Sequence, residues 1–162
     1  MTISQGDSLP DAGLLWMGEN GPEQVRIADL TRDRKVVIFG LPGAFTGTCT
    51  TAHVPSFLRN RDALRDKGID EVICVAVNDP FVMKAWDAET GASEGGIVML
   101  GDAGAEFTRA IGMTFTAPPV GFFDRSKRYA MVVENGVVQT LQVDDNPGEC
   151  NLSGGEAILA TL

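Results

Sequence analysis

Three cysteines and a single histidine are the side chains of this sequence best suited to nucleophilic chemistry. One cysteine sits where such chemistry is favoured. Cys49 closes the segment PGAFTGTC, residues 42–49, which joins a short β-branched run to the start of an amphipathic helix. A thiol in a first helical turn faces unpaired backbone N–H groups and the positive end of the helix dipole, and both favour thiolate over thiol. Thr46, three residues earlier, can place a hydroxyl beside the sulfur as a donor to the thiolate or to a bound oxygen. Pro42 and Gly43 shape the loop, and Pro42 with Phe45 would form an apolar wall that keeps water off the sulfur. The bland alternative for Cys49 is a small buried hydrophobe.

The other candidates divide by their surroundings. His53 lies four residues after Cys49, one helical turn on, so a Cys–His dyad is conceivable. A dyad base normally arrives from elsewhere in the fold, and a structural or interface role suits His53 better. Cys74 sits mid-strand in EVICVAV, residues 71–77, a place for packing; Cys150 sits in the turn-rich stretch NPGECN, residues 146–151, where exposure is expected. No C-x-x-C occurs, which argues against a thiol–disulfide oxidoreductase. One histidine and scattered cysteines give no metal site at zinc-like spacing, and no glycine-rich phosphate loop follows a strand.

The elements that must position these residues follow from periodicity. Residues 35–40 (KVVIFG) and 71–77 read as buried strands, and 97–100 as a third. From Cys49 onward, Val54, Phe57, Leu58 and Leu64 fall at helical spacing, with Arg59, Arg61, Arg65 and Lys67 on the remaining circumference and Gly68 as C-cap. Asn78-Asp79-Pro80 starts a helix reaching about residue 89, and residues 104–112 hold a shorter one. Residues 120–123 and 128–133 read as extended, Asn135-Gly136 as a hairpin turn, and 137–143 as the returning strand. A helix over 153–162 would be capped by Ser153 with Glu156 completing a capping box. Alternating strands and helices followed by a hairpin define an α/β domain with a mixed sheet, with no boundary visible within residues 1–162. At this length a core forms without disulfides.

A net charge of −9, from 13 basic and 22 acidic side chains, disfavours nucleic-acid partners. The first twenty residues lack the pattern of a signal peptide, and no apolar run is long enough to cross a bilayer. Three cysteines, an odd number, suit a reducing cytosol of bacterial type, so cytoplasmic localisation is expected.

The string PGAFTGTCTTAHVPSF resembles the active-site segment of peroxiredoxins of the Prx5 subfamily, also called type II or atypical. The resemblance continues through VNDPFVMKAW (77–86) and FTAPPVGFFDRSKRYAMVVENG (115–136) to the C-terminal segment. It implies a thioredoxin-like fold, a central mixed sheet flanked by helices with an N-terminal β extension. It also implies a thiol peroxidase acting on hydrogen peroxide and organic hydroperoxides through a Cys49 sulfenic acid. Matched to the family, Cys49 is the peroxidatic cysteine, Thr46 binds the peroxide, Pro42 shields the sulfur and Arg128 supplies a guanidinium; its neighbours Arg125 and Lys127 are distinguished from it by the resemblance alone. Full ionisation of an ordinary thiol, which is a few per cent thiolate at pH 7, gains only about 30-fold, roughly 2 kcal/mol. Donors aimed at the leaving oxygen must supply the rest. Two positions depart from the common pattern: Gly47 stands for a frequent proline and Ser56 for a frequent glycine.

For regeneration, Cys74, 25 residues after Cys49, matches the spacing in plant-type members, while Cys150 lies near the resolving position of animal-type ones. Many bacterial members use neither and are recycled by glutathione and glutaredoxin, which is the mode expected here, with thioredoxin-linked disulfide cycling as the alternative. No bound cofactor is expected beyond the thiol reductant as co-substrate. The family also suggests a homodimer with Phe45 and Phe81 at the interface. A catalytically silent holdase on the same fold is the competing function from another class.

Overall fold

The computed structural model describes residues 2–162, and Met1 lies outside the described residues. The chain opens with a hairpin, Gly13–Gly18 (β1) and Gly21–Arg26 (β2), and a short helix, Ile27–Thr31 (α1). Lys35–Leu41 (β3) then feeds a loop and a long helix. The first turn of that helix, Cys49–His53, is π-helical, and the remainder, Val54–Asp66 (α2), is α-helical. Glu71–Ala76 (β4), Pro80–Thr90 (α3), Ile97–Gly101 (β5) and Glu106–Ala110 (α4) alternate as the sequence predicts. Thr114–Ala117 (β6) and Phe122–Ser126 (β7) form a separate two-stranded ribbon. Tyr129–Glu134 (β8), Val137–Val143 (β9) and Gly155–Leu159 (α5) complete the chain.

The main sheet has seven strands in the order β2-β1-β5-β4-β3-β8-β9. β3, β4 and β5 run parallel, and β8 lies antiparallel to β3, so the sheet is mixed, with β1 and β2 as its N-terminal extension. β3 lies in the interior of the sheet, between β4 and β8, because KVVIFGL is apolar on both faces, as a strand covered by helices on each side must be. Its alternate residues separate two cores. Val37, Phe39 and Leu41 pack with Cys74, Phe57, Leu64, Trp86 and Ile158 beneath α2, α3 and α5. Val36 and Ile38 pack with Val75, Phe107, Met131 and Ile27 on the opposite face.

Caps fix the helix ends. Asp79 accepts a hydrogen bond from the Val82 amide at 2.9 Å, and Pro80 opens α3, as expected. The last helix differs. It begins at Gly155 with no side-chain cap, because the Ser153 hydroxyl donates to Asp144 instead and Glu156 pairs with Arg59 at 2.7 Å. α5 approaches α2 so closely that a Cβ on Gly155 would lie 2.4 Å from the Ser56 carbonyl oxygen. Ser56 fills the junction by donating to the His53 carbonyl at 2.6 Å and accepting from the Gly155 amide at 2.9 Å. Two further expectations are corrected. Of the stretch 120–123 expected to be extended, Phe122 and Phe123 open β7 while Val120 closes the tight turn Pro118–Val120, and the partner strand Thr114–Ala117 ends before the two prolines, which cannot serve a ladder. Arg61 is buried rather than solvated, its Nε donating to the Gly96 carbonyl at 3.0 Å.

Candidate active site

The loop after β3 is shaped by its backbone. Phe45 takes a left-handed conformation, φ 62°, which costs a non-glycine residue about 1 kcal/mol or more. Its ring points outward, 54% exposed, so the apolar wall expected from Pro42 and Phe45 is built by Pro42 without Phe45. The Ala44 amide donates to the Asn78 side chain at 2.9 Å, tying the loop to the end of β4. Cys49 follows in the π-helical turn, where the Val54 amide reaches back to the Cys49 carbonyl and widens the helix opening by one residue.

Cys49 is fully buried, yet it is not surrounded only by hydrocarbon. Arg128, immediately before β8 and 1% exposed, directs Nη2 to the Cys49 sulfur at 3.1 Å. Its Nη1 donates to His53 Nδ1 at 2.9 Å and its Nε to the Pro147 carbonyl at 3.0 Å. Among the described residues Arg128 forms no salt bridge with a carboxylate. A buried cation without a carboxylate is costly, and the Cys49 sulfur at 3.1 Å is one of the acceptors set against it. Three of the five guanidinium N–H groups are engaged, leaving two for a ligand.

A cleft of about 370 Å³ leads to this point, lined by Pro42, Thr46, Phe115, Phe122, Arg128 and Pro147 among others. Thr46 borders it as the sequence suggested, with one change of role. Its hydroxyl donates to the Gly43 carbonyl at 2.7 Å, so its proton is engaged and its lone pairs are free to accept from a ligand O–H. Thr48 donates to the Gly148 carbonyl at 2.8 Å and fastens the loop before α5 to the helix opening.

His53 is not a base beside the thiol. It is completely buried, and burial, reinforced by the Arg128 charge, pushes its pKa down to about 3. Its Nε2 contacts the Ser153 carbonyl at 2.9 Å. Asp144 holds that segment by accepting from the amides of Asn151, Leu152 and Ser153 and from the Ser153 hydroxyl. Burial would raise the Asp144 pKa, but those donors outweigh it and hold the carboxyl below its usual range. Cys74 lies in the middle of β4 beside Phe39 in register, and burial, with Cys49 adding to it, pushes its thiol well above the ordinary value. Cys150 is half-buried beside Ser56 and Gly154, and burial raises its thiol too.

Sequence reasoning missed Arg125 and Asp144. Arg125 donates to the Pro42 carbonyl at 3.0 Å and lies 5.2 Å over the Phe122 ring, bracing the loop against the β6–β7 ribbon. Nothing in the local pattern marks either residue. Among the described residues no cluster of metal-ligating side chains occurs, and no helix is long and apolar enough to cross a membrane.

This geometry is that of a thiol held against a guanidinium in a thioredoxin-like fold, and comparison with known proteins agrees. The Redoxin family profile matches residues 4–159. Peroxiredoxin-2C of Oryza sativa is 39% identical over 161 residues, covering 99% of this chain and 98% of that one. The crystal structure of reduced Prx3 from Vibrio vulnificus in complex with H2O2 superposes with a TM-score of 0.92 at 42% identity, covering 99% of both chains. Peroxiredoxin 5 from Alvinella pompejana superposes with a TM-score of 0.83 at 31% identity, over 98% of this chain and 97% of that one. The chain belongs to the peroxiredoxins of the Redoxin family, and its activity is that of a thiol peroxidase.

Proposed function

We propose that Cys49 is the peroxidatic cysteine and that its sulfenic acid is the intermediate of the cycle. The thiolate attacks one peroxide oxygen, an S–O bond forms and the O–O bond breaks. Sulfur loses two electrons, and the leaving hydroxide or alkoxide departs with the bonding pair and takes a proton from solvent to give water or alcohol. Arg128 offers its unengaged N–H groups to the oxygen on which charge grows, Thr46 accepts from the peroxide O–H, and Pro42 walls the cleft. The observation that carries this assignment is the contact of 3.1 Å between Arg128 Nη2 and the Cys49 sulfur, made by a buried cation that pairs with no carboxylate among the described residues. The cleft exceeds what HOOH requires, and its Phe115, Phe122 and Val120 side suits organic hydroperoxides as well.

Regeneration is assigned to an external thiol. The reductant attacks the sulfenic sulfur, water leaves, and a second thiol releases the mixed disulfide. Cys74 is locked in the ladder between β3 and β5, and Cys150 sits against the Ser56 side of α2, where its thiol is half-buried. Glutathione with glutaredoxin fits this arrangement better than a thioredoxin-reduced internal disulfide, and three unpaired thiols suit a cytoplasmic location. Homodimerisation through the loop face is part of the same proposal. Phe45 and Phe81 are 54% and 65% exposed, on segments joined by the Ala44–Asn78 hydrogen bond.

Stopped-flow peroxide consumption by the protein and by Cys49→Ser tests the chemistry. Loss of fast consumption in the variant is expected, and equal rates would refute the assignment of the chemistry to Cys49. Non-reducing mass spectrometry after one equivalent of peroxide tests regeneration; a dominant Cys49–Cys74 or Cys49–Cys150 bond would overturn the external-thiol route. Sedimentation of Phe81→Asp against the unaltered protein tests the dimer.

A further inference from the structure

The only histidine is joined to the arginine that touches the sulfur, and the geometry of that junction fixes its chemistry. An arginine has donors and no acceptor, so the contact of 2.9 Å between Arg128 Nη1 and His53 Nδ1 requires a lone pair on Nδ1. The proton then resides on Nε2 and is donated to the Ser153 carbonyl, 2.9 Å away and able only to accept. Phe39 and Phe57 flank the imidazole with ring centroids 4.9 and 5.7 Å distant, which holds the ring plane. Cys49 and His53 sit one turn apart on the same helix, and the rigid guanidinium fork spans them, with Nη2 on the sulfur and Nη1 on the imidazole.

We propose that His53 is a positioning residue: its Nδ1 lone pair locks the rotation of the Arg128 guanidinium, so that Nη2 faces the Cys49 sulfur and the remaining N–H groups face the cleft. The inference rests on the peroxidatic role of Cys49. The lock extends outward, because the Ser153 carbonyl that fixes the imidazole tautomer belongs to the segment gathered by Asp144. The Asp144 amide in turn donates to the Arg128 carbonyl at 3.0 Å, so the arginine is held at its backbone and its tip by one network. Without the imidazole lone pair, the guanidinium would retain only the Pro147 carbonyl as a fixed acceptor and could swing away from the thiol.

The test is a set of variants read by the second-order rate with hydrogen peroxide and by the thiolate ultraviolet absorbance of Cys49. His53→Leu removes the acceptor and should slow peroxide reduction by about 10- to 100-fold, the effect of losing a hydrogen bond to a charged group, and lower the thiolate absorbance at neutral pH. His53→Asn places an amide oxygen near the Nδ1 position and should stay within about threefold of the unaltered protein. His53→Gln reaches only the Nε2 position and should behave like His53→Leu. In an Arg128→Met background the His53→Leu effect should shrink to about twofold or less, because its route through the guanidinium is gone. An unchanged rate in His53→Leu, or an equal loss in both backgrounds, overturns the inference. Should His53→Leu fail to fold, equal rates for His53→Asn and His53→Gln overturn it instead. Fast, Cys49-dependent reduction together with indifferent His53 variants refutes the positioning role alone, whereas absence of Cys49-dependent reduction in the unaltered protein refutes both.

Discussion

Acidification offers a perturbation aimed at one side chain, because His53 is the protein's only histidine and its ordinary pKa lies apart from those of the carboxylates. In the fold its pKa is about 3, against 6.5 ordinarily, for burial and the Arg128 charge both disfavour imidazolium, with the Ser153 carbonyl and Asp144 opposing them. Between those two values the unfolded chain binds a proton that the folded chain refuses. Stability is therefore complete above pH 6.5 and declines as the pH falls towards 3, by about 1.4 kcal/mol per unit. At pH 4.5 the loss reaches about 3 kcal/mol, a large part of the 5–15 kcal/mol typical of a folded domain. Urea unfolding of the protein and of His53→Asn at pH 7, 5.5 and 4.5 measures it. The unaltered protein should show the slope and the variant should lack it. Asp144 and Glu156, both with lowered values, lose their contributions as the pH falls through their folded values, towards the acid end and equally in both proteins. Parallel slopes in the two proteins, or a single imidazole NMR resonance that titrates near its ordinary value, would refute the reasoning.

Other outcomes follow from the same contacts. Arg128→Met should lower the peroxide rate constant by about 100-fold or more, the scale of losing a donor to a developing oxyanion, and reduce thiolate absorbance at neutral pH. Thr46→Val should slow the reaction by about 10-fold or more while Thr46→Ser retains most of it, since serine preserves both the bond to the Gly43 carbonyl and the free lone pairs. Gly155→Ala should cost about 2 kcal/mol in denaturant unfolding, because its Cβ would meet the Ser56 carbonyl at 2.4 Å and the Phe57 amide at 3.1 Å, backbone atoms that cannot step aside. An unchanged rate for either site variant, or an unchanged midpoint for the glycine variant, contradicts the corresponding contact.

The buried guanidinium gives the fully buried Cys49 sulfur a charged hydrogen-bond partner. Desolvation alone drives a thiol towards its neutral form, as it does for Cys74 in the adjacent strand. The two sulfurs share one core, and what separates them is the position of Arg128, in hydrogen-bond contact with Cys49 alone. Ser56 likewise gains meaning from its surroundings. Its hydroxyl links the last carbonyl of the π-helical turn to the amide that opens α5, so the two helices meet through a polar bridge.

What the sequence determined by itself is local. The β-branched apolar run of residues 35–40, the Asp79-Pro80 start and the Asn135-Gly136 turn each carry their backbone preference in a few neighbouring side chains, and all three form where expected. Cys49 and Thr46 were legible for the same reason, being three residues apart on one loop. The Ser153 cap was misjudged because a hydroxyl takes the best acceptor within reach, and Asp144, nine residues away, outcompetes a helix amide. The residue pattern by itself did not decide which arginine meets the sulfur; the family resemblance named Arg128, and the tertiary structure is what brings it there. Arg128 is 79 residues from Cys49 and 75 from His53, and its arrival depends on β8 lying antiparallel against β3. Residue alternation tells which face of a sheet a side chain occupies, but not which strand becomes its neighbour. That neighbour is set by burial of the whole core, a non-directional force summed over the chain, so a site assembled across it has no signature in any single stretch.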